Sequence, residues 1–156
     1  MEMKKTAFAS CLLVFLLKAC GGGGAEPHPE ILGVRLGMSK EEAHRRLRDL
    51  GRLEKEERKQ QEVWGLAGDS PYSHLIVAYG KEDAAVRFVT AVAKEGGRRI
   101  CYADVLDTGK AQQTRAGDSI TYKMEVPGGD GKPAYTVRAI GDGPEHLKYY
   151  SIEVKE

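Results

Sequence analysis

The sequence predicts an α+β fold: an antiparallel sheet of about six strands with one or two helices on one face. Three observations carry that prediction. Short runs alternate apolar and polar residues and are separated by Gly/Pro-rich turns, as half-buried antiparallel strands do. One helix start is strongly marked at Ser39. The order of elements, helix then three strands, is then repeated in the second half, without residue-level identity between the halves.

The chain opens with a basic pair, Lys4 and Lys5, followed by an apolar run over residues 7–17 and by Leu17-Lys18-Ala19-Cys20. This is the layout of a secretory signal occupying residues 1–19, too short to span a bilayer. Residues 20–30 read as a tether. Four glycines, residues 21–24, are costly to order, and Pro27 and Pro29 stiffen the remainder of the tether toward an extended form. A single domain is expected over residues 31–156.

Within the domain, Ser39-x-x-Glu42 is a capping box, with Met38 as the staple ahead of it and Ala43, Leu47 and Leu50 at helical spacing. Glu41 with Arg45 and Glu42 with Arg46 lie four apart on the expected solvent face, which also takes His44 and Arg48, and Gly51 ends the helix. The charged stretch after Gly51 has no apolar stripe and reads as a long exposed strand, continued by Val63-Trp64-Gly65-Leu66. Gly68-Asp69-Ser70-Pro71 turns the chain into strands over residues 75–79 and 86–93, completing a meander. Residues 102–113 read as a weak helix. Ile120, Tyr122, Met124 and Val126 alternate with polar residues, and two further strands centre on Val137 and Ile152.

Charge and chemistry narrow the function classes. The chain has 24 basic and 23 acidic residues, and such a balanced surface argues against nucleic acid as partner. Removing residues 1–19 would leave Cys20 and Cys101, with Cys101 expected to be a buried, inert thiol in a fold without a disulfide. None of the four histidines sits at metal-ligand spacing, so no metal is expected. No Gly-x-Ser-x-Gly elbow or phosphate loop occurs, and the Gly-rich stretches fall where hairpin turns belong, so no cofactor is expected. Asp104 and Asp107, with nearby Lys110, read as solvated surface; only the convergence of Asp104, Asp107 and His146 in a cleft would argue for an enzyme, and no catalytic residue is assigned. The aromatic residues lie mostly on strands, where about half should face the core by alternation. Trp64, Tyr72 and Tyr149 are expected to be partly exposed and are the candidate partner-binding residues.

Two resemblances sharpen these expectations. Leu17-Lys18-Ala19-Cys20 resembles the lipobox of bacterial lipoproteins, although Lys18 is unusual at its position. That resemblance implies lipidation of Cys20 after cleavage, with a membrane as the covalently attached partner. With a residue other than Asp at position 21, it implies an outer-membrane address facing the periplasm. Residues 33–42, Gly33-Val34-Arg35-Leu36-Gly37-Met38-Ser39-Lys40-Glu41-Glu42, with Leu47, Leu50-Gly51 and Glu62-Val63-Trp64, resemble the SmpA/OmlA (BamE-like) lipoproteins of outer-membrane barrel assembly. The β-lactamase-inhibitor-like fold shares the same helix-plus-sheet unit. The resemblance implies a non-catalytic domain that binds another envelope protein. The alternative is a secreted or anchored inhibitor or ligand-binding module.

Overall fold

The computed structural model describes residues 24–57 and 60–155. Cys20 and the expected signal peptide lie outside the described residues. Two two-residue strands, β1 (Glu30–Ile31) and β2 (Val34–Arg35), form a hairpin. Its central residues Leu32 and Gly33 both have positive φ, the geometry of a tight hairpin turn. Gly37 turns the chain at φ 80, Met38 enters the core and Ser39 caps helix α1 (Lys40–Leu50), its hydroxyl accepting the Glu42 N–H at 3.3 Å. The parts played by Met38 and Ser39 match those expected from the sequence.

After the helix come β3 (Gly51–Glu57), β4 (Gln61–Leu66), β5 (Tyr72–Tyr79) and β6 (Val86–Ala93). A single 3-10 turn at Tyr102–Asp104 follows, and then β7 (Gln112–Ala116), β8 (Ser119–Val126), β9 (Tyr135–Asp142) and β10 (His146–Val154). The large sheet has eight strands, all antiparallel, in the order β3-β4-β5-β6-β10-β9-β8-β7. It is therefore two four-stranded meanders joined edge to edge through β6 and β10. The expected α+β class and one-sided helix hold, but six strands become eight and the second helix is reduced to the 3-10 turn. The reason is local. Residues 102–113 carry too few apolar positions to seat a helix, and Gln112–Ala116 gains more by pairing with β8, register Gln112 to Lys123.

Register fixes two faces. Trp64, Leu75, Ala91, Tyr150, Ala139 and Tyr122 stand in one row across six strands. Helix α1, the β1–β2 hairpin and the 3-10 turn cover this face, with the Tyr102 ring tilted against Tyr122 at 4.9 Å between ring centroids. Residues 24–29 lie here too, because Ala25 N–H donates to the Ala103 carbonyl (2.9 Å) and Tyr135 Oη donates to the Pro27 carbonyl (2.9 Å). The described part of the expected tether thus packs on the domain. Val63, Ile76, Thr90, Ser151, Arg138 and Lys123 form a row on the opposite face, where no helix sits among the described residues.

The charges on α1 also behave differently from a freely solvated face. Arg46 donates to the Leu32 carbonyl (2.9 Å), and Glu42 lies 3.8 Å from Arg35, so both clamp the β1–β2 hairpin.

Candidate functional site

Alternation along β4 puts Glu62 beside Trp64 on the covered face, and β5 brings Tyr79 to the same side. From above, Lys40 and His44 project from successive turns of α1, four residues apart. All four converge on the Glu62 carboxylate, which is 1% exposed. His44 Nε2 lies 2.8 and 2.9 Å from its two oxygens, Lys40 Nζ 2.9 Å, Trp64 Nε1 3.0 Å and Tyr79 Oη 3.0 Å. An ionised carboxylate only accepts, so Nε2 is the protonated nitrogen of His44. The His44 ring stands edge-on to Trp64 at 5.5 Å, and Lys40 Nζ sits 5.1 Å from the centre of the Tyr79 ring.

Burial by itself would raise the Glu62 pKa, but the hydrogen bonds from Lys40, Trp64, His44 and Tyr79 outweigh it and hold the carboxyl below its ordinary value. The bond to Glu62 raises Lys40, and burial, with the Glu62 charge behind it, raises Tyr79. Glu62 is therefore a fixed carboxylate whose charge is offset by Lys40 and whose acceptor positions are occupied. The cluster pins α1 to the sheet and leaves the carboxylate no position for a reactant. The sequence does hold a signal for it: Glu62 is two residues from Trp64, hence on the same face, and Lys40 and His44 share a side of the helix.

Trp64 is 4% exposed, so its expected exposure is corrected: the indole is committed to Glu62 and to the core. Tyr72, expected in a turn, begins β5, is half-buried against the core, and has its hydroxyl pKa raised by burial. Tyr149 is 46% exposed, as expected, because β10 alternates and Tyr150 takes the core side. Asp104 accepts the Cys101 N–H at 2.9 Å, and Asp107 binds Lys110 at 3.2 Å. Neither lines the groove that contains His146. Among the described residues no cluster of three or more metal-ligating side chains occurs.

Cys101 is disulfide-bonded. This corrects the expectation of a fold without a disulfide. The sequence's other two cysteines, Cys11 and Cys20, both lie outside the described residues.

Beside the exposed Tyr149 lies a groove of about 680 Å³. One wall is the loop after β6, residues 94–99, and the other is the β9–β10 turn with the start of β10. Val92, Ile100 and Leu147 provide its apolar floor, and the Leu147 N–H donates to the Ile100 carbonyl at 3.3 Å. Tyr149 stands at its rim. Val92 pairs with both His74 and Tyr149, and Tyr149 with Ile140, so the groove continues into the helix-free face of the sheet.

Comparison with known proteins finds no family model, no curated protein and no solved structure that matches this chain. Among the described residues no helix is long and apolar enough to cross a membrane.

Proposed function

We propose that the chain is a membrane-anchored bacterial envelope lipoprotein whose α+β domain is a non-catalytic protein-binding module serving outer-membrane assembly or maintenance. The observation that carries the binding role is the helix-free sheet face, with half-buried Val63, Ile76, Val92 and Ile140 leading to the exposed ring of Tyr149. A contiguous partly apolar surface ending in an exposed aromatic is the composition of a contact patch. The anchor rests on the lipobox-like Leu17-Lys18-Ala19-Cys20, and the assembly role on the resemblance of about residues 31–94 to the SmpA/OmlA (BamE-like) lipoproteins. Supporting a role without catalysis, the densest group of titratable residues, around Glu62, is spent on joining the helix to the sheet.

A second reading, a secreted inhibitor or ligand-binding module, is favoured by the Cys101 disulfide, because lipidation of Cys20 would leave the processed chain no second thiol to close that bond within one molecule. One experiment separates the two. The mature protein from native membranes, weighed beside Cys20→Ala, should carry the mass of a diacylglycerol and an amide-linked acyl chain that the variant lacks. An unmodified, soluble product from both chains overturns the anchor and leaves the secreted module.

A further inference from the structure

The groove at Tyr149 is cationic where it is open. Arg99 is paired with Glu145 at 3.0 Å and Lys148 with Asp142, which fastens both walls. Lys94 and Arg98 form no ion pair among the described residues, and both border the groove, as does Glu95, whose charge acts on Lys148. They stand in a loop held at its start by the Lys94 N–H to Pro71 carbonyl bond (2.9 Å) and turned by the Gly97 N–H to Lys94 carbonyl bond (3.1 Å). Lys94 and Arg98 thus border an apolar floor from one wall, and the lining as a whole keeps an excess of positive charge over Glu95.

We infer that this groove receives an extended acidic segment of a partner protein, one apolar side chain seated on Val92, Leu147 and Tyr149 and a carboxylate held by Lys94 and Arg98. The inference rests on the protein-binding reading and names the chemistry of its partner. Charge complementarity selects the occupant. A basic segment would meet Lys94 and Arg98 with only Glu95 to offset them, whereas an acidic one gains charge-assisted hydrogen bonds from an arginine with free donors. An exposed tyrosine gives a large, stiff contact area at small entropic cost, which suits the apolar half of the pair.

The probes are three acetylated hexapeptides in which phenylalanine alternates with glutamate, glutamine or lysine. Each is titrated into the 15N-labelled domain and followed by amide shifts. The glutamate peptide should move Val92, Lys94, Arg98 and Tyr149 and bind at least about tenfold more tightly than the glutamine one, the preference shrinking as salt is raised. Lys94→Glu with Arg98→Glu should abolish the preference, and Tyr149→Ala should weaken the glutamate and glutamine peptides alike. Circular dichroism checks that the variants fold. Equal binding of all three peptides, tighter binding of the lysine peptide, or shifts elsewhere on the sheet overturns the inference. So does the absence of binding by any peptide. The broader reading is tested separately with a photo-crosslinker at Tyr149 in the native envelope. A defined adduct that survives Lys94→Glu with Arg98→Glu keeps the protein-binding role while the acidic partner fails; loss of every adduct counts against the role itself.

Discussion

Glu62 shows how one side chain can set the behaviour of a fold. Its carboxylate is buried and accepts from Trp64 and Tyr79 within the sheet and from Lys40 and His44, whose contacts exist only when α1 lies on the sheet. Glu62→Gln keeps the shape but leaves Lys40 without its buried counter-charge, and should cost about 3 kcal/mol in urea denaturation. The pH dependence comes from the sign of the shift. Because the folded carboxyl lies below its ordinary value, its stabilisation is fully present above about pH 4.3, where the unfolded carboxyl ionises. It is lost as pH falls through the depressed folded value, so the melting temperature should fall in that acid window and fall less in Glu62→Gln. Tyr149 and Trp64 make the complementary pair. Tyr149→Ala should stay within about 0.5 kcal/mol of the parent, since its ring is exposed. Trp64→Ala should lose about 3–5 kcal/mol, since it empties a core site and removes a donor to Glu62. Thermal melts of the two variants decide whether the aromatic roles are divided in this way.

At the scale of elements, the best-marked segments in the sequence are those whose signal is local. Ser39 caps α1, and β6 spans the residues that alternation and its bounding turns indicate. β8 is legible from Ile120, Tyr122, Met124 and Val126 because each meets the core side of one sheet. β7 is hidden: its five residues are all exposed, so the sequence carries no period for it, and only the register with β8 makes it a strand. His44 is only partly legible for a related reason, although it shares a side of the helix with Lys40. A histidine among arginines reads as surface, and only the buried acceptor at Glu62, a long-range partner, turns it inward. Gly51 is needed for a reason that local signals do not show. Its φ of 177 is ordinary extended backbone, yet a Cβ there would come within 1.9 Å of the Gly65 carbonyl oxygen. Gly51→Ala should therefore spread the start of β3 from β4, and amide exchange should speed up in both strands before the rest of the sheet is affected.

For the whole molecule, the decisive constraint is that a sulfur forming a thioether cannot also form a disulfide. The sequence has three cysteines, and the bond at Cys101 must take Cys11, Cys20 or a second molecule. On the proposed reading, a signal peptidase cut before Cys20 would remove Cys11, and lipidation would occupy the Cys20 sulfur. The anchored and disulfide-closed chains are then different covalent species of one sequence. Residues 24–29 already lie against the domain, with Ala25 bonded to Ala103 two residues from Cys101, so a lipid at Cys20 would hold the covered face of the sheet close to the membrane. The helix-free face and the Tyr149 groove would then point toward the periplasm. The expected outcome is that the membrane-extracted chain, alkylated before any reductant is added, carries lipid on Cys20 and the alkyl group on Cys101. The unprocessed chain, produced without lipidation, should resist alkylation at Cys101 until it is reduced. Lipidated protein with Cys101 still protected would show that the disulfide joins two molecules, and the envelope form would be a covalent dimer with two grooves.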